Sequence, residues 1–213
     1  MPSLAIMAAL ARTLKSLSSP FKPRVSMLDW HDDWNIYALG ALNVAQICLW
    51  TGVLPASALT IVGMADGVYF AIDSMWLVFA PDCVPQKVRK TLLVHHFAVL
   101  CASACGIWRP LCAVHATNAW IVELQSWTHI AARRLNEPLA KYCELLNKPL
   151  YVLTRFIIYP LTWFRYNHLR NTLPTGTSQI PTQWHVPLTA LHFILYGLMI
   201  KWGCSMLPSK LKS

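Results

Sequence analysis

The chain is short of charge, and short above all of acids. Nine Asp and Glu and eighteen Lys and Arg make 13% of its 213 residues, against an average of about 25% in soluble domains. Hydrophobic residues make 55%, and mean hydropathy is +0.41. No soluble core needs so much apolar sequence, so the composition points to a polytopic membrane protein with one domain's worth of chain. The net charge of +9 is not a nucleic-acid signature, because no basic helix or RNA-binding motif accompanies it. The seven cysteines include no CxxC pair and no zinc spacing. Cys48, Cys101, Cys105, Cys112 and Cys204 sit in apolar runs and read as small core residues. A P-loop, a GxGxxG turn, a Ser nucleophile elbow and the HxxHH boxes of membrane desaturases are all missing. No metal site and no bound cofactor is expected.

What is present is a set of apolar runs punctuated by prolines and basic clusters. Six spans are expected near 35–54, 57–80, 91–108, 111–130, 150–167 and 186–206, each about 20 residues long. Residues 1–34 then form an N-terminal cytosolic or interfacial segment, 35–206 the transmembrane domain and 207–213 a short basic tail. Residues 1–28 hold Arg12, Lys15, Lys22 and Arg24 and no acid, which suits a surface-lying or transit segment. Asp29 to Trp34 reads as an interfacial lead-in, and 171–182 as an exposed turn. With six spans, fourteen Lys and Arg fall on the side of both termini and three (Arg109, Arg165, Arg170) on the other, with Arg155 inside a span. The positive-inside rule then puts both termini in the cytosol.

Ionisable groups at bilayer depth cost roughly 2.5–3.5 kcal/mol each on insertion scales, so they persist where they face protein or an aqueous cavity. Asp73, His95, His96, His115 and Glu123 are expected to line such a cavity. Asp66, Tyr69, Asp73 and Trp76 recur at steps of three and four, on one helix face, with Tyr69 within reach of Asp73. Treated as one helix, 111–130 gathers His115, Asn118, Glu123, Gln125, Ser126 and His129 within an arc of about 160°. His95 and His96 point about 100° apart, so one is expected in the cavity and the other against a neighbour. Arg155 is placed to neutralise Glu123 or Asp73, or to hold an anionic headgroup.

Tyr69-Phe70-x-x-Asp73, His95-His96, Glu123-Leu124 and the Tyr151-to-Pro160 segment around Arg155 together resemble the TLC-domain family, over residues 35–206. The resemblance implies an all-α bundle around a lipid-accessible cavity, usually in the endoplasmic reticulum. In the ceramide synthases of that family, an acyl group passes from acyl-CoA to a sphingoid amine, and the paired histidines are tied to the transfer. Carried over, His95, His96, Asp73 and Glu123 would be catalytic, and Tyr69, His115, Asn118, Ser126 and Arg155 would bind substrate. Acyl-CoA would be a co-substrate rather than a resident cofactor. The synthases' His-Asp-x-x-Asp is here His115-Ala116-Thr117-Asn118-Ala119, without either acid. The chain therefore resembles the non-synthase branch, whose partners are membrane lipids and whose role lies in lipid metabolism or homeostasis. Proton-coupled transport through Asp73, His96 and Glu123 is the remaining alternative. The sequence leaves the oligomeric state open.

Overall fold

The computed structural model describes residues 20–108, 110–172 and 182–206. The surface or transit reading of residues 1–19, most of the 171–182 turn and the 207–213 tail lie outside them. The described chain is all-helical, with an isolated bridge between Phe21 and Leu135 as its one pairing of extended backbone. Eight α-helices follow in order: α1 Met27–Trp50, α2 Leu59–Phe79, α3 Gln86–Trp108, α4 Pro110–Ala119, α5 Val122–Arg134, α6 Leu139–Tyr151, α7 Tyr159–Thr172 and α8 Thr182–Met206. A π-helical segment, Val152–Ile158, joins α6 to α7.

Three of these boundaries differ from the sequence reading. First, α1 starts eight residues before the expected span, at Met27 rather than 35. Ser26 and Asp29 close a capping box, in which the Ser26 hydroxyl accepts from the Asp29 N–H and the Asp29 carboxylate accepts from the Ser26 N–H at 2.8 Å. The Asp29–Trp34 stretch is therefore helical, not a lead-in. The other end of α1 closes at Gly52, whose φ of 75° is the left-handed turn that a Cβ disfavours.

Second, the expected 111–130 helix is broken at Trp120–Ile121 into α4 and α5. The single helical wheel fails across that break. Third, the fifth span does not begin at 150. From Leu139 to Thr172 the chain runs on as helix, and the turn widens to π just ahead of Pro160. Proline has no N–H to offer the preceding turn and its ring crowds the carbonyl four residues back. The wider turn absorbs that conflict, and it does so at Arg155.

The helices pack chiefly as α5 on α6, α2 on α3, α1 on α5 and α3 on α4. Side chains are distributed inside out. On α2 the buried face is Val62, Asp66, Tyr69, Phe70, Asp73 and Leu77, while Ile61, Met64, Val68, Ile72 and Met75 are exposed. Similar exposed rows occur on α1, on the π segment and on α8. Among the described residues, two segments are long and apolar enough to cross a membrane, Ala56–Phe79 with mean hydropathy 1.4 and His185–Gly203 with 1.2. Both segments also carry interior polar groups, Asp66 and Asp73 on the first and His192 on the second.

Candidate functional site

The site is assembled at the end of the bundle where α1 begins, α2 ends, α3 begins and α5 ends. There the capped first turns of α1 are fastened to α5. Arg133 donates twice to Asp32, both bonds at 2.7 Å, and Arg134 donates to Asp33 at 2.8 Å and to Asp29 at 3.2 Å. Arg134 is 2% exposed and also donates to the carbonyls of Lys22 and Pro23. Burial pushes the Asp33 carboxyl up, but hydrogen bonds from Arg134 and Arg24 outweigh it and hold the group below the usual carboxylate range. Hydrogen bonds from the Val25 backbone and from Ser26 lower Asp29 likewise. With Arg24 donating to Asp33, three acids and three arginines thus close into a clamp with its charges matched.

The clamp delivers His31 and Asn35 into an outer cavity of about 280 Å³. His31 Nε2 lies 2.6 Å from Asp73 Oδ1, and His96 Nε2 lies 3.4 Å from Asp73 Oδ2. One carboxylate on α2 is therefore bracketed by imidazoles from α1 and α3. On the other side His95 Nε2 lies 3.6 Å from Glu123 Oε1. The adjacent histidines fork to two different carboxylates, and both line the cavity. Tyr69 does not bond Asp73; its hydroxyl donates to Asn35 Oδ1 at 2.8 Å. Arg155 Nε donates to Gln125 at 3.2 Å and Nη2 to Ser126 Oγ at 3.0 Å, between the rings of Tyr151 and Trp202. Its Nη1 is buried without a partner. Val84, in the turn before α3, and Val88 and Leu92, one turn apart on α3, supply an apolar wall.

Below this lies an inner chamber of about 60 Å³. His95, Glu123 and Phe70 line both spaces and form the partition. The chamber adds Asp66, His115 and His192, with Leu188, Leu191 and Leu195 of α8. His115 therefore belongs to the inner chamber, not to the outer cavity with Asp73 and His96. At the far end of the bundle an open vestibule of about 400 Å³ is lined by Trp50, Asn118, Thr162 and Arg165. Asn118 accepts from Trp50 Nε1 at 3.1 Å there, remote from the outer cavity.

The two histidines differ in what they can do. His96 is engaged on both ring nitrogens, with Asp73 at Nε2 and Ser74 Oγ 3.3 Å from Nδ1. His95 has Glu123 at Nε2 and nothing at Nδ1. A carboxylate behind one nitrogen and a free second nitrogen is the arrangement of a general base. Among the described residues, no group of three His, Cys, Asp or Glu side chains is placed to hold a metal ion.

Sequence reasoning missed His31, Asn35, Asp32 and the Arg133–Arg134 pair. The S-x-x-D signature at Ser26–Asp29 was the available signal, since it moves the helix start ahead of His31. His192 was missed because a lone His in an apolar run has no partner along its own helix. The chain matches no family model, no curated protein and no solved structure.

Proposed function

We propose that the chain is a six-span, TLC-like integral membrane protein that binds a membrane lipid in the outer cavity and acts in membrane lipid metabolism or homeostasis. The observation that carries the reading is the inversion of the bundle: the ionisable groups converge inward on a cavity and the large apolar side chains face out. Monomeric soluble proteins rarely expose apolar patches beyond a few hundred Å². A cavity of about 280 Å³ suits a headgroup and the first part of a chain rather than a whole two-chain lipid. The apolar wall of Val84, Val88 and Leu92 offers the chain a course toward the bilayer. The cavity lies at the end of the bundle where Arg24, Lys87, Arg89, Arg133 and Arg134 gather, and the positive-inside rule supports a cytosolic position for that end. The resemblance makes the endoplasmic reticulum the expected membrane.

The test is mass spectrometry of lipid released from gently purified protein. A lipid retained by the unaltered chain and lost from Arg155→Ala supports the reading. Protein that carries no lipid above background, from any mild detergent, overturns it.

One observation favours acyl transfer as a second reading: the free His95 Nδ1 backed by Glu123. His95 would take the proton from a lipid amine or hydroxyl as that group attacks the thioester carbonyl of acyl-CoA. The C–S bond then breaks and the proton passes to the leaving thiolate. Labelled acyl-CoA should yield labelled lipid with the unaltered chain and none with His95→Gln.

A further inference from the structure

Five side chains line the inner chamber with a buried polar atom that has no hydrogen-bond partner: Asp66 Oδ1, His95 Nδ1, His115 Nδ1, Trp120 Nε1 and His192 Nδ1. All five residues are more than nine-tenths buried. Each such atom left unpaired costs about 1–3 kcal/mol. Five around one small space call for an occupant that satisfies them. An acyl chain would satisfy none. Trp120 Nε1 only donates, whereas a carboxyl oxygen of Asp66 and an imidazole nitrogen can accept, so the occupant must do both. Water does both, and a site needs only about 10–15 Å³ for each molecule. The chamber's volume of about 60 Å³ then holds about four.

The chamber is also joined to both ends of the bundle. It shares His95 and Glu123 with the outer cavity. The His115 ring meets the backbone of Thr162, which lines the vestibule at the other end. His192 sits 5.4 Å from His115, ring to ring. Titratable groups thus follow one another from the outer cavity into the inner chamber and up to the backbone beside the vestibule, in an otherwise apolar bundle where an ionisable group is costly and marks a pathway.

We propose that the inner chamber is a hydrated proton site, in which water links His115, His192 and Asp66 to the His95–Glu123 pair and carries protons between the vestibule and the outer cavity. Each step passes one proton along a hydrogen bond, and a proton entering at one end is balanced by one leaving at the other. The inference rests on the membrane reading, since a relay between two ends matters where a bilayer separates them. It does not depend on which lipid occupies the outer cavity.

The test uses the full chain in liposomes that enclose a pH-sensitive dye, with a potassium ionophore present to remove the membrane potential. A pH step should decay faster than in protein-free liposomes. Asp66→Asn should reduce the protein-dependent rate by about a hundredfold, the scale of losing one positioned proton-transfer group. His192→Gln should reduce it in the same direction, and Asp82→Asn, in the exposed turn before α3, should leave it unchanged. Trp120→Phe removes one donor with little change of volume, and serves if Asp66→Asn loses its helical circular dichroism. Decay at the protein-free rate with the unaltered chain overturns the proposal, as does a rate indifferent to the Asp66, His192 and Trp120 substitutions. Alkaline carbonate extraction of the same vesicles separates the two ideas. Chain stripped from the bilayer refutes the membrane reading, whereas inserted chain without flux refutes the relay alone.

Discussion

The clamp at the head of the bundle and the chamber at its centre are both built from acids and bases, and they are opposites. In the clamp each carboxylate meets a guanidinium: Asp32 meets Arg133, and Asp33 and Asp29 meet Arg134. In the chamber Asp66 has an oxygen with no partner, and His115 and His192 each have a nitrogen with none. Matched charges fix one arrangement and resist change. Unmatched polar groups cost stability and are retained where an occupant or a reaction uses them. The clamp is therefore read as scaffold and the chamber as working space, with the outer cavity between them sharing both characters.

The largest effect should come from cutting the clamp. Arg134→Met leaves the buried Asp33 with Arg24 as its remaining cation and takes the guanidinium from Asp29, and should cost about 3 kcal/mol, read as a lowered unfolding midpoint in detergent. Adding Asp33→Leu should recover most of that loss, because an apolar pair avoids the buried charge. A double variant as unstable as the single one would show that the clamp matters for more than its charge.

Acid should act on the clamp in the same direction but less. The folded values of Asp33 and Asp29 lie below the ordinary aspartate value of 3.8. Their contribution is fully present above that value and is lost as pH falls through the depressed folded values. Thermal midpoints measured from pH 7 down to pH 3 should hold level and then drop below about pH 4. The drop should be much smaller in Asp33→Asn.

The chamber should behave in the contrary way. Asp66→Leu removes an orphaned oxygen, so stability should stay within about 1 kcal/mol or rise. A large loss would mean that Asp66 holds the bundle together, and would erase the contrast.

Packing repeats the comparison at the smallest scale. A Cβ on Gly40 would come within 3.2 Å of Trp127 Nε1, which already donates to the Ile36 carbonyl across the α1–α5 contact. Gly40→Ala should cost about 1 kcal/mol. At Gly67 a Cβ would meet Ser103 Cβ at an ordinary 3.5 Å, so Gly67→Ala should gain a few tenths of a kcal/mol to about 1 from helix propensity. Equal effects in the two variants would show that α1–α5 and α2–α3 are packed alike.

Much of the outer cavity was legible in the sequence. Asp73, His95, His96, Glu123 and Arg155 are ionisable groups in apolar runs, and the cost of leaving them unpaired among apolar side chains turns them toward one another whatever the details of packing. Their spacing on α2 and α3 survives because those helices run unbroken. His115 and Asn118 were misplaced for one local reason. The helix is interrupted at Trp120–Ile121, and a wheel drawn through that turn assigns one face to residues that occupy three cavities. His31 was hidden because its partner is forty-two residues away on another helix.

By itself the sequence determined that this chain is helical and apolar on its outward faces, because those properties follow from composition and from period along each helix. Tertiary structure alone decided which imidazole meets which carboxylate, that three arginines close a clamp over α1, and that one run of polar residues is divided among three spaces. Those pairings depend on helix breaks and crossings, and a few ångströms of displacement between helices change them without altering a single residue.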